Sequence, residues 1–184
     1  MNDQALSRTQ LLSDTDIANK IRRIASEILE AYPEQPLAFV GIHTRGVIVC
    51  DRVLKEVSKH RGEIARGTLD ISLYRDDLDN LGTIPSIQGS DLPFDVEGAH
   101  IILFDDVLFT GRTIRAALND LMDYGRPAKI ELAVLVDRGN RELPICPDYT
   151  GEKINTRRDE YISVRFQEDD EEEGVFQINK EEGT

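Results

Sequence analysis

The spacing of apolar and polar residues divides the chain into alternating helical and extended stretches. Ile17, Ile21, Ile24 and Ile28 recur at intervals of three and four, which places them on one stripe and predicts an amphipathic helix over 14–31. Ser13 or Asp14 can cap its start, and Pro33 follows its end. "LAFVGI", 37–42, is a continuous apolar run of strand length, the pattern of a parallel strand covered on both faces. A second helical pattern runs from about 46 to 60. "TLDISLY", 68–74, alternates apolar and polar residues and reads as a strand. "HIILF", 100–104, and "IELAVLVD", 130–137, are two more buried strands. Between them 113–124 reads as a helix with Ile114, Ala117, Leu118 and Leu121 inward. "YISVRF" and "VFQIN" flank an acidic run and read as a terminal hairpin.

This order of helices and strands predicts an α/β fold with a largely parallel sheet, in one domain spanning 1–184. Residues 75–99 are rich in Asp, Gly, Pro and Ser and have no strong period, so a lid or binding loop is expected there. In open α/β sheets, ligands gather beyond the carboxyl ends of the strands. Here those ends carry "HTRG", "YRDD", "DDVLFTGRT" and "DRGNREL", four polar clusters on one edge.

Composition changes this picture in few places. The formal charge of −13 argues against nucleic acid as the main partner, because such binding draws on Lys and Arg neutralising phosphates. Part of the excess is "EDDEEE", 168–173, expected to be a solvated turn. No apolar stretch approaches the roughly 20 residues of a membrane span, and "MNDQALSRTQ" lacks the apolar core of a signal peptide. No membrane association and a cytoplasmic location are therefore expected. Cys50 and Cys146 have no metal-type spacing.

The chemistry concentrates at "DDVLFTGRT". A turn of Thr110, Gly111, Arg112 and Thr113 that opens a helix presents free backbone amides and the positive end of the helix dipole. Gly111 lets an anion approach the backbone, and the threonines add hydroxyls, so the turn can hold a monophosphate. It is neither a Walker loop nor a dinucleotide fingerprint, because neither "GxxxxGK[ST]" nor "GxGxxG" occurs. A plain capped βα turn would explain these residues equally well on their own. The preceding pair, Asp105 and Asp106, tips the balance, because it can accept hydrogen bonds from two vicinal hydroxyls and favours a divalent cation. A phospho-acceptor receiver domain also places acids at strand ends, but disperses them over several loops.

"IILFDDVLFTGRT", 101–113, resembles the phosphoribosyl-pyrophosphate (PRPP) signature of type I phosphoribosyltransferases. With "GIHTRG", "LDISLYRDDL" and "VLVDRGNRELPI" in order, the chain resembles the PyrR family of pyrimidine-operon attenuation regulators that also have uracil phosphoribosyltransferase activity. The resemblance implies a type I phosphoribosyltransferase fold: a mostly parallel sheet flanked by helices, a hood at about 138–160 and a flexible catalytic loop at about 75–99. It implies that Asp105 and Asp106 hold the ribose hydroxyls of PRPP and, directly or through water, Mg²⁺. Val107, Leu108 and Phe109 continue the PRPP-binding segment into Thr110, Gly111, Arg112 and Thr113 around the 5-phosphate. Thr44, Arg45 and Gly46 match the pyrophosphate loop, which in related enzymes often contains a non-proline cis peptide. Arg75 is implied as a catalytic residue, with Asp76 and Asp77 beside it at the base of the flexible loop. Asp137 and Arg138 begin the hood over the base. Phe109 stands where relatives acting on hypoxanthine or guanine carry an acid.

The implied reaction converts uracil and PRPP to UMP and pyrophosphate, in a homodimer. Two alternatives remain: a UMP-responsive RNA-binding attenuator with vestigial activity, and a transferase for another base. Against the RNA-binding pattern of the family, Arg22 and Arg23 remain basic. Ser26 and Asn140 stand where His is common, Cys146 replaces an Arg, and Glu152 lies near the place of a Lys. Weak RNA binding is therefore expected, although Lys153, Arg157 and Arg158 could rebuild a basic patch.

Overall fold

The computed structural model describes residues 6–71, 89–158 and 160–180. Within them the order is β1 (Leu6–Leu12), α1 (Asp14–Ala31), β2 (Ala38–Ile42), α2 (Arg45–Val57), β3 (Ala65–Leu69), β4 (His100–Leu108), α3 (Arg112–Met122), β5 (Lys129–Asp137), β6 (Tyr149–Lys153), β7 (Tyr161–Arg165) and β8 (Gly174–Lys180). A five-stranded sheet has the order β3-β2-β4-β5-β6, parallel throughout. A three-stranded antiparallel sheet, β1-β8-β7, contains the expected terminal hairpin.

Both faces of the parallel sheet are covered, which is why its strands read as unbroken apolar runs. Ile17, Ile21, Ile24 and Ile28 of α1 and Val49 and Val53 of α2 pack with Phe39, Ile102, Phe104 and Leu135 on one face. Ile114, Ala117 and Leu121 of α3 pack with Val40, Leu103 and Val134 on the other. The start of α1 is fixed by a reciprocal cap: Asp16 N–H donates to Ser13 Oγ at 3.2 Å, and Ser13 N–H donates to Asp16 Oδ2 at 2.9 Å.

Several expectations need correction. The strand expected at 68–74 instead starts at Ala65 and ends at Leu69; 72–74 lie outside the described residues. β1 and β6 were not foreseen. Of the segment expected to form a hood, Tyr149–Lys153 lies in the central sheet beside β5. The expected loop at 75–99 is packed over 89–99: Thr68 and Asp91 exchange backbone hydrogen bonds at 2.7 and 2.9 Å, Val96 is buried, and Leu92 and Phe94 lie against the α3 core. Ser90 Oγ donates to Asp120 at 2.7 Å. Residues 75–88 of that segment lie outside the described residues.

The acidic run is not merely solvated. Arg52 holds Glu168 at 2.7 Å and Glu173 at 2.6 Å, Arg45 pairs with Asp170 at 3.2 Å, and Arg8 and Arg165 each reach Glu172 at 2.6 Å. The turn between β7 and β8 is thereby docked onto α2.

At the other edge of the sheet, Glu131 gathers Tyr32 Oη at 3.0 Å, His100 Nε2 at 2.7 Å and Lys129 Nζ at 3.0 Å. Burial pushes this carboxyl up, but the bonds to Lys129, His100 and Tyr32 more than offset it and hold the group below the usual glutamate range. A lowered folded-state value means stability that is complete above about pH 5, where the unfolded carboxyl is ionised. That stability is lost as pH falls through the folded value. Glu131→Gln should cost about 1–3 kcal/mol at pH 7 and make the loss of stability on acidification shallower, as read by denaturant unfolding across pH.

Candidate active site

β4 does not end before the carboxylate pair. It carries the pair within its ladder, with Asp105 opposite Val134, Val107 opposite Val136 and Leu108 opposite Asp137. The acids are thus fixed to a rigid strand rather than placed on a loop. Asp105 is only 6% exposed and accepts the Asp106 N–H at 3.0 Å. Burial pushes the Asp106 carboxyl above the usual range, while its hydrogen bond with Asp105 and the positive charge of Arg45 pull the other way. Two neighbouring carboxylates can accept hydrogen bonds from arriving hydroxyls or hold a cation.

The turn after β4 reaches α3 through Gly111, which has φ 93° and serves as the helix N-cap. A residue with a Cβ would be strained in this left-handed conformation. The Thr110 carbonyl accepts the N–H groups of Glu142 at 3.0 Å and Leu143 at 3.1 Å, and Arg112 reaches Glu142 at 2.9 Å. The loop after β5 therefore braces the phosphate-type turn from outside.

A second helix N-terminus lies beside the pair. Thr44 precedes α2, its hydroxyl makes no capping bond, and the His43–Thr44 peptide is cis, the form the resemblance implies. Gly46 is pressed against β4: a Cβ there would run into the Phe104 carbonyl and lie 3.0 Å from Asp105 Cα. Only the missing side chain lets the Thr44–Arg45–Gly46 loop sit directly behind the carboxylates.

Asp137 and Arg138 are both engaged within the protein. Asp137 accepts Gly139 N–H at 3.0 Å and Arg141 Nη2 at 2.6 Å. Arg138 is buried, donates to Thr156 Oγ1 at 3.0 Å and to the Glu160 carbonyl at 2.6 Å, and stacks on the Phe109 ring with its guanidinium carbon 3.9 Å from the centroid. It ties Thr156, Arg157 and Glu160 to the Phe109 ring and is not a surface ion pair. Arg141 adds a further anchor that the motif alone does not assign. It donates to the Phe109 carbonyl at 2.9 Å, the Gly139 carbonyl at 3.0 Å and the Ile145 carbonyl at 2.9 Å. Its spacing of four from Asp137 in "DRGNR" was the available signal. Arg75, Asp76 and Asp77 lie outside the described residues.

The structure thus brings Thr44, Arg45 and Gly46, Asp105 and Asp106, Thr110 to Thr113, and Asp137 with Arg138 to the carboxyl edge of one parallel sheet. Two helix N-termini beside two carboxylates can bind a ligand with anionic groups at both ends and hydroxyls between them. Among the described residues no group of three or more His, Cys, Asp or Glu could hold a metal ion by itself. The Asp105–Asp106 pair fits Mg²⁺, which is commonly held by one or two carboxylates, with water and substrate phosphate oxygens completing its shell.

A phosphoribosyl transferase domain family model matches residues 7–171. The chain is 49% identical over 170 residues to the bifunctional protein PyrR of Latilactobacillus sakei, covering 90% of this chain and 95% of that protein. It is 46% identical over 176 residues to the bifunctional protein PyrR of Thermus aquaticus, covering 95% and 97%. Among solved structures, a hypoxanthine phosphoribosyltransferase from Staphylococcus aureus superposes with a TM-score of 0.69 at 20% identity over 91% of this chain and 90% of that one. At such identity the likeness concerns the fold alone. With the signature carried on β4 as the sequence implies, the chain belongs to the phosphoribosyltransferases and, among them, to the PyrR family.

Proposed function

We propose that the protein transfers the 5-phosphoribosyl group of PRPP to uracil, giving UMP and pyrophosphate. The observation that carries this reading is the fixed carboxylate pair on β4 between the two helix N-termini, one behind Gly46 and one behind Gly111. A ribose with its 2- and 3-hydroxyls on Asp105 and Asp106 would place its 5-phosphate at Thr110–Thr113 and its pyrophosphate at Thr44–Arg45–Gly46.

As the bond to pyrophosphate breaks, positive charge grows on the sugar ring, and the adjacent carboxylates stabilise it in a site already organised for it. Bound Mg²⁺ would offset the charge of the departing pyrophosphate. Phe109 carries no proton acceptor, and its ring, covered by Arg138, offers a flat apolar wall. This suits a pyrimidine better than a purine whose attack depends on an acid at that position. Arg75 acts as the catalytic residue the family resemblance implies, and Asp137 and Arg138 shape the base side through backbone they hold in place. A cytoplasmic homodimer is the form the family resemblance implies. Among the described residues no helix is long and apolar enough to cross a membrane.

Turnover measured with PRPP and Mg²⁺ against uracil, hypoxanthine and guanine tests the assignment. Uracil should be consumed at least about a hundredfold more efficiently than either purine, the order of discrimination available to an apolar pocket through fit alone. Preference for a purine would overturn the substrate.

RNA binding, the second activity the family resemblance implies, should be weak here. Arg23 donates to the carbonyls of Thr150 and Gly151, and Lys20 pairs with Glu152 at 2.5 Å. These cations of α1 are engaged by β6, and Glu152 adds a repulsive charge near the expected contact surface. A gel-shift titration with UMP at about 0.1 M salt, against the leader RNA of its own pyrimidine genes, should show only weak binding with a shallow salt dependence, since each lost phosphate contact flattens the log–log slope by about 0.9 on duplex and about 0.7 on single strands. Nanomolar, UMP-enhanced and sequence-specific binding would make the attenuator reading primary.

A further inference from the structure

The acidic turn between β7 and β8 lies far from the signature in sequence, yet it touches the pyrophosphate loop. Arg45 Nη2 donates to Asp170 Oδ1 at 3.2 Å and lies 3.4 Å from Oδ2. The same carboxylate is anchored from behind, because Oδ2 accepts the Phe166 N–H at 3.0 Å. The turn is itself clamped by Arg52, which reaches Glu168 on one side and Glu173 on the other. Arg45 and Arg52 are seven residues apart, two turns of α2, and so share a face. One stripe of α2 therefore docks the turn through Arg52 and receives Asp170 at Arg45.

This arrangement occupies only part of the Arg45 guanidinium. Nη2 is held by Asp170, while Nε is buried without a hydrogen-bond partner among the described residues. A buried donor lacking an acceptor is costly, and Arg45 directly precedes Gly46, whose backbone is pressed against the carboxylate pair. We infer that Asp170 is a positioning residue that orients Arg45 for the pyrophosphate end of the substrate, an inference that rests on the phosphoribosyltransferase reading. The anchored carboxylate fixes the guanidinium through Nη2 and leaves Nη1 for phosphate oxygens. Through it, the small antiparallel sheet helps to set the catalytic edge of the parallel one.

The opposite arrangement, in which Asp170 competes with the ligand for Arg45, predicts the opposite sign and is separable. Calorimetric titration of the full chain with inorganic pyrophosphate and Mg²⁺ provides a probe that needs no uracil turnover. Asp170→Asn keeps an acceptor for the Phe166 N–H but loses the charge. It should raise the dissociation constant for pyrophosphate and the KM for PRPP about fivefold, the upper range for a partly exposed ion pair, with kcat within about twofold. Asp169→Asn, the same charge change at an exposed neighbour, should leave both constants unchanged. In an Arg45→Gln background, Asp170→Asn should have no further effect; a purely structural role would persist there. Arg52→Lys, which loosens the clamps without touching Arg45, should shift pyrophosphate binding in the same direction. Unchanged or tighter pyrophosphate binding in Asp170→Asn, or an effect that persists in full without Arg45, would overturn the inference. No pyrophosphate binding by the unaltered chain would overturn it together with the functional reading. Absent uracil turnover with the pyrophosphate effects intact would overturn the substrate alone.

Discussion

Replacing Asp105 and Asp106 together with Asn should lower uracil turnover by about two to three orders of magnitude, the scale seen when groups aimed at developing charge are removed, while the protein stays folded. The two carboxylates are adjacent on one strand, and burial disfavours the charge on Asp106. Asn preserves the shape of both side chains and keeps an acceptor for the Asp106 N–H, now bonded to Asp105 at 3.0 Å. Removing two crowded negative charges should leave stability equal or slightly higher, as is common where a site is arranged for ligand rather than for the fold. The measurement pairs steady-state turnover with thermal unfolding of the same sample. Near-normal activity in the double variant would show that the pair does not contact the reacting sugar. A large loss of stability would show that its role is in the core.

Gly46→Ala should have the second largest effect, and it should act on both quantities. The added methyl group would meet the Phe104 carbonyl and lie 3.2 Å from the Phe104 carbonyl carbon, backbone that cannot turn aside. The start of α2 would have to move off β4, separating Thr44 and Arg45 from Asp105 and Asp106. Displacements near 1 Å can cost about a hundredfold in rate, and forced overpacking costs about 1–3 kcal/mol. Gly62→Ala is the matched control, since a Cβ there meets nothing within 4 Å. The expected result is a loss of activity and a lowered unfolding midpoint for position 46, and neither for position 62. An active, fully stable Gly46→Ala variant would mean that the loop does not need its present contact with β4.

Much of the architecture was legible in the chain because it follows from short-range pattern. α1 declared itself by four isoleucines on one stripe, and β2, β4 and β5 by apolar runs that only a doubly covered sheet can bury. The carboxylate pair and the glycine-containing turn were legible for a chemical reason, since few residue combinations can hold ribose hydroxyls and a phosphate side by side. The hairpin of β7 and β8 was local as well, its partners separated only by the acidic turn.

What the sequence could not determine depends on partners distant along the chain. β1 is a polar-rich strand paired with β8, and β6 is a five-residue strand beside β5; neither has enough pattern to announce itself. Residues 89–99 looked irregular because they are, yet Leu92, Phe94 and Val96 find apolar surface that other elements supply. Arg138 and Arg141 were legible as a motif, but whether their donors faced ligand or backbone was decided by the carbonyls of Leu108, Phe109, Arg157 and Glu160. The acidic run is the sharpest case. Its composition specified only charge, and charge alone is solvated by default. Tertiary structure brought Arg45 and Arg52 against it from 125 and 121 residues away, because α2 and the terminal hairpin pack on the same side of the sheet, and that proximity converted a polar turn into a contact with the catalytic edge.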